Sequence, residues 1–158
     1  MTDLIESLLT AYDAKDTSTF AGICARLHES KDERQKAAEE LLQVLGENDT
    51  YRAELAVNIL IITGMTRDNE WFERLIMTAE KIFSPEVLSR LAADEEQRLK
   101  SKETTARISP QLRILRSVLP ALMERGGARA LAFVNALETE LAETPLAARI
   151  AEWKRSWN

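Results

Sequence analysis

Apolar residues recur along most of this chain at intervals of three and four, the spacing of one face of an α-helix. Eight or nine such stretches follow one another, over about residues 2–14, 18–29, 31–45, 50–64, 68–83, 85–102, 110–124, 127–142 and 145–156. Nowhere do Val, Ile, Thr or Tyr alternate with polar residues, so no strand is expected. In 31–45, Ala37, Ala38, Leu41, Leu42 and Leu45 form a single stripe bordered by Lys36, Glu39, Glu40 and Gln43, the pattern of a surface helix. The next stretch, "DTYRAELAVNILIITG" (residues 49–64), is apolar on nearly every side from Leu55 to Ile62. It therefore reads as a helix enclosed on several sides, with Asn58 as its odd member. Either Asn58 is buried with hydrogen-bond partners, or its face opens onto a groove.

The punctuation between stretches supports these limits. Ser84-Pro85, Ser109-Pro110 and Thr144-Pro145 each pair a capping hydroxyl with a proline suited to the first helical position. Ser30 followed by Glu33 is a capping-box pattern. Asp49 or Thr50 starts the apolar helix and Gly64 ends it. Gly22 interrupts a helical pattern without breaking it. Pro120 falls inside one, where it removes an internal hydrogen bond and should kink or shorten the helix. "RGGAR" (125–129) reads as a turn, its glycines supplying special backbone angles. The polar segment "DEEQRLKSKETTAR" (94–107) should end a helix as a solvated face and continue as a loop. The short connections fold consecutive helices back as antiparallel neighbours. The chain reads as one all-α domain over residues 1–158.

The hairpin 38–64 resembles a HEAT-like repeat, in which an outer and an inner helix pair across a tight turn. Leu41, Leu42 and Leu45 take the outer face, Asp49 the turn, and Tyr51-Arg52 the aliphatic-Arg pair that opens the inner helix. Tyr51 is aromatic where the family prefers an aliphatic. Ala56, Ile59 and Leu60 continue the inner helix. Residues 137–153, with Thr144-Pro145 at the turn, have a similar shape but lack an arginine directly after it. The resemblance implies a HEAT-like hairpin stack and a protein-binding scaffold. An irregular helical bundle is the alternative arrangement of the same helices.

Composition narrows the class. With 45% hydrophobic and 30% charged residues, 158 residues suffice for a folded core. The N-terminal "MTDLIESLLT" has no basic region and is interrupted by Asp3 and Glu6, so no signal peptide is expected. No apolar run approaches the roughly 18 residues of a membrane span. A single cysteine, Cys24, excludes an intramolecular disulfide and points to a cytoplasmic location. The net charge of −5 is uneven. Residues 1–106 hold 13 Lys and Arg against 21 acids, a net −8, and residues 107–158 hold 8 against 5, a net +3. The acidic part disfavours nucleic acid and anionic lipid as partners.

Candidate chemistry is sparse. Cys24 and the single histidine, His28, are four apart and share a helix face, which could activate a thiol. The competing reading is a buried structural cysteine beside a histidine that complements a helix C-terminus. One histidine cannot supply a di-iron or zinc ligand set, and no calcium loop, P-loop or dinucleotide fingerprint occurs. Neither metal nor cofactor is expected. Glu95-Glu96 and Glu138/Glu140 read as solvated acids. The chain is therefore expected to be no enzyme.

Five arginines stand out. Arg107, Arg113, Arg116, Arg125 and Arg129 lie on one helix and its two ends, and guanidinium forks suit carboxylate or phosphate and interface hot spots. They are the candidate partner-binding residues, and the alternative is pairing with the protein's own acids. Trp153 and Trp157 share a face of the last helix, where they either seal the core or mark a dimer or partner surface. The expected function is protein binding by a small adaptor, assembly factor or inhibitor, of which an immunity protein is one type. The alternative is a nucleic-acid scaffold using the arginine-rich last third.

Overall fold

The computed structural model describes residues 3–101 and 108–155. Among them the chain forms nine α-helices and no strand. They are α1 (Asp3–Asp13), α2 (Thr17–His28), α3 (Lys31–Leu45), α4 (Thr50–Thr63), α5 (Asn69–Ile82), α6 (Pro85–Lys100), α7 (Pro110–Arg125), α8 (Ala128–Leu141) and α9 (Leu146–Arg155). The chain divides into two compact units, residues 1–78 and 79–158, with the division falling inside α5.

The helix starts follow local chemistry. Ser30, Ser84 and Ser109 accept hydrogen bonds from the backbone N–H groups of Glu33, Val87 and Leu112, at 3.3, 3.4 and 3.3 Å. Asp49 does the same for Arg52 at 3.1 Å, and Asp16 caps α2 through the Thr19 N–H at 3.1 Å. Each cap satisfies one donor that the first helical turn leaves free. Thr144 departs slightly from the expected pattern. Its hydroxyl donates back to the Leu141 carbonyl at 2.6 Å and accepts from Leu146, so α9 begins after Pro145 and not on it. Gly64 closes α4 in the left-handed conformation (φ 69°), and Gly126 and Gly127 turn α7 into α8 with φ of 70° and 97°. α7 runs through Pro120 to Arg125. Proline has no N–H to offer the Arg116 carbonyl, and the buried Val118, Leu119 and Leu122 around it hold the helix in the core.

In the first unit α3 and α4 form the most extensive helix pair, with α1 against α2, α3 and α4. Leu41, Val44 and Leu45 from α3 and Ala56, Val57, Ile59 and Leu60 from α4 are almost fully buried. Tyr12 and Phe20 join α1 to α2, their ring centroids 5.8 Å apart. The opening pair of α4 reaches α1. Arg52 forms a two-armed ion pair with Glu6, at 2.7 and 3.2 Å, and the Tyr51 hydroxyl donates to Asp13.

α4 is less enclosed than its sequence predicts. Ile62 is 61% exposed and Tyr51 51%, and Leu55 and Asn58 lie half-buried on the same helix stripe at four-, three- and four-residue steps. The stripe is apolar but looks outward, and only the opposite faces pack inward. Asn58 therefore sits on the open side of the helix and makes an interaction of its own.

In the second unit α7 packs on α8 and α9, and α8 also packs on α6. Leu115, Leu119 and Leu122 of α7 meet no solvent, and Ile150 and Trp153 carry α9 into the core. Trp153 is buried, and Trp157 lies outside the described residues. Glu95 corrects the expectation of a solvated acid. It is 3% exposed, because Arg98 grips it with two arms (2.6 and 3.2 Å) and Arg149 adds a third bond at 2.8 Å. Three guanidinium hydrogen bonds let a carboxylate stay charged away from water. Its neighbour Glu96 is 58% exposed beside Lys100.

Candidate functional site

The structure describes four of the five arginines. Arg107 lies outside the described residues. Arg113 donates to the Ile108 carbonyl at 3.0 Å, which ties its guanidinium to the start of its own helix. Arg116 is exposed, and no ion pair or hydrogen bond of its side chain is found among the described residues. Arg125 is exposed in the last turn of α7 and has a partner. Twelve residues of helix separate Arg113 from Arg125, about 18 Å at 1.5 Å per residue, too far for one small anion to bridge. Arg129 begins α8 and pairs with Glu80 at 3.2 Å.

Arg129 borders a recess. A groove of about 350 Å³ runs along α8 against the end of α5 and the start of α6. Phe83, Leu88, Phe133 and Leu137 give it an apolar lining, with Ala132 and Ala136 on the α8 side. The Arg129–Glu80 pair stands at one end of the α8 wall and Glu140 at the other. Arg129 and Glu140 are eleven residues apart, about 16 Å or three helical turns. Phe83, Leu88, Phe133 and Leu137 are themselves mostly buried, so they form the bottom of the groove. Ala132 and Ala136 are exposed, because their small side chains leave the backbone of α8 open to solvent. One signal for this surface is present in "ARALAFVNALETE": alanines at 128, 132 and 136, one per turn, on a face where an ordinary surface helix would place charges.

A second recess of about 200 Å³ lies in the first unit, and Cys24 and His28 both line it. Cys24 is half-buried, less enclosed than a core cysteine. Burial pushes its thiol pKa up, so the protonated form is favoured. That is the opposite of what a nucleophilic thiolate needs. Among the described residues, no three His, Cys, Asp or Glu side chains gather in a way that could hold a metal ion. No helix there is long and apolar enough to cross a membrane.

The helices and these two recesses define an all-α protein. No family model, curated protein or solved structure matches the chain.

Proposed function

We propose that this chain is a non-enzymatic protein-binding module whose docking surface is the groove along α8. The observation that carries the reading is the groove itself: an apolar bottom of Phe83, Leu88, Phe133 and Leu137, lying between charged groups that stand about three helical turns apart along α8. A groove of that form suits an amphipathic helix that lays one apolar stripe into it at i, i+3, i+4 and i+7. The end charges choose the occupant. Glu80 and Glu140 outnumber Arg129, and Glu80 already engages it. The partner helix therefore carries a basic residue opposite Glu140.

The HEAT-like reading of α3 and α4 belongs to the same proposal. It makes the chain a stack of antiparallel helical hairpins used as a scaffold, and the close packing of α3 on α4 supports it. The work of an adaptor, an assembly factor or an inhibitor acting inside the cell fits such a surface.

Affinity purification from the native cell, with partners identified by mass, is the test. It is run side by side on the wild type and on Ala136→Arg, which fills the groove from an exposed position. A partner lost with Ala136→Arg and kept by Ile62→Arg supports the groove. A partner kept by Ala136→Arg contradicts it. Recovery of the chain's own second copy, with sedimentation as a dimer that Ala136→Arg breaks, would replace the foreign helix with a homodimer.

A further inference from the structure

The recess of the first unit has a different chemistry. It lies where α2 ends and α3 begins, and the turn from α4 into α5 closes it. We propose that it binds a small organic anion, a carboxylate or phosphate carried on a compact apolar body.

Residues 1–78 hold 15 acids against 8 Lys and Arg, a net −7. Arg52 finds a partner acid in Glu6 and Arg74 one in Glu39. Lys31 and Arg34 do not. Neither has an ion pair or hydrogen bond of its side chain among the described residues, and both line this recess. Arg34 is half-buried, so it has given up part of its hydration with no carboxylate in return. His28 and Gln35 line the same space, and they too lack a side-chain partner among the described residues. Four nitrogen-bearing side chains with unused donor capacity thus converge on one opening.

The rest of the lining sets the shape of the ligand. Leu27 and Trp71 are buried and provide an apolar floor. Trp71 is held in place by the Arg74 guanidinium, 4.6 Å from the centre of the ring. A volume of about 200 Å³ corresponds to roughly six or seven waters at about 30 Å³ each. That is room for one ring or a short branched chain plus its anionic group. The Arg34 fork can hold two oxygens at once, Lys31 adds a point charge, and the Gln35 amide supplies a neutral donor. Asp68, the one acid on the lining, disfavours ligands of high negative charge and can accept from a donor on the ligand.

The test is a titration of the full chain with benzoate, phenyl phosphate and the neutral benzamide, followed by backbone amide NMR. Benzoate or phenyl phosphate is expected to shift the amides of residues 28–35 and 63–71 saturably. Tighter binding of the first identifies a carboxylate site, and of the second a phosphate site. Benzamide at the same concentrations is expected to leave these amides in place. Lys31→Ala with Arg34→Ala is expected to weaken binding at least tenfold, and the single Arg34→Gln several-fold, with the melting temperature unchanged. Ala136→Arg is expected to leave the titration unaltered, which separates this site from the groove. Binding of benzamide as strong as that of benzoate would overturn the proposal. So would undiminished binding by the double and single variants, or no shift with either anion.

Discussion

Arg149 reaches back 54 residues to place its Nε 2.8 Å from Oε1 of Glu95, a carboxylate that Arg98 already holds from one helical turn away. The contact joins α9 to α6 through an acid that is almost wholly buried. Removing Arg149 leaves Glu95 with one guanidinium in a dry site. Arg149→Ala is therefore expected to cost about 2–3 kcal/mol, below the full cost of breaking a buried pair because Arg98 remains. Chemical denaturation at neutral pH measures it.

The same carboxylate carries a pH signature. The hydrogen bond from Arg98, and after it that from Arg149, hold the Glu95 carboxyl below its ordinary value of 4.5, against the opposing effect of burial. A lowered folded pKa adds stability above the unfolded value and loses it as pH falls through the folded one. Stability is expected to decline on acidification below about pH 4.5, less steeply in Arg149→Ala than in the wild type. Denaturation midpoints between pH 3 and 7 show the difference.

α4 gives a test of facing. Ile59 meets no solvent and Ile62 is 61% exposed, three residues further on. Ile59→Ala is expected to cost about 2–5 kcal/mol, as cavity-forming core changes do. Ile62→Ser is expected to stay within about 0.5 kcal/mol of the wild type. Equal costs would mean that α4 is enclosed on both faces.

Gly22 offers a gain. It lies inside α2, and a Cβ placed on it would meet nothing within 4 Å. Gly22→Ala is expected to stabilise the chain by about 0.5–1 kcal/mol, since alanine loses less backbone freedom in a helix. A lower melting temperature would contradict the open space around it.

The Cys24 thiol is expected to be slow. Half-burial and a raised pKa should make its reaction with iodoacetamide at pH 8 roughly tenfold slower than that of free cysteine. A rate equal to or above that of the free thiol would restore Cys24 and His28 as a reactive pair.

The helices were legible in the sequence because their signals are local. Ser84-Pro85 and Ser109-Pro110 start α6 and α7 where the hydroxyl and the ring dictate, and Gly64 ends α4 where a left-handed residue is required. Facing was harder to read. The run from Leu55 to Ile62 is apolar all round, so periodicity could not say that Ile62 looks outward. Glu95 looked solvated because its polar neighbours lie on its own helix, whereas Arg149 comes from 54 residues away. The same holds for the partners of the candidate arginines. Their spacing in sequence hid the tie of Arg113 to the Ile108 carbonyl and of Arg129 to Glu80. The groove needed α5, α6 and α8 brought together, and only its alanine wall left a periodic trace.

The central claim is that the α8 groove binds a partner helix. The most direct measurement is a titration of the purified partner against the wild type, Ala136→Arg and Arg113→Ala/Arg116→Ala. The account predicts affinity at least 100-fold weaker for Ala136→Arg, about 2.7 kcal/mol, with its melting temperature unchanged and the double arginine variant within a few-fold of the wild type. Undiminished binding by Ala136→Arg, with loss in the arginine variant, would contradict it and move the docking surface to α7.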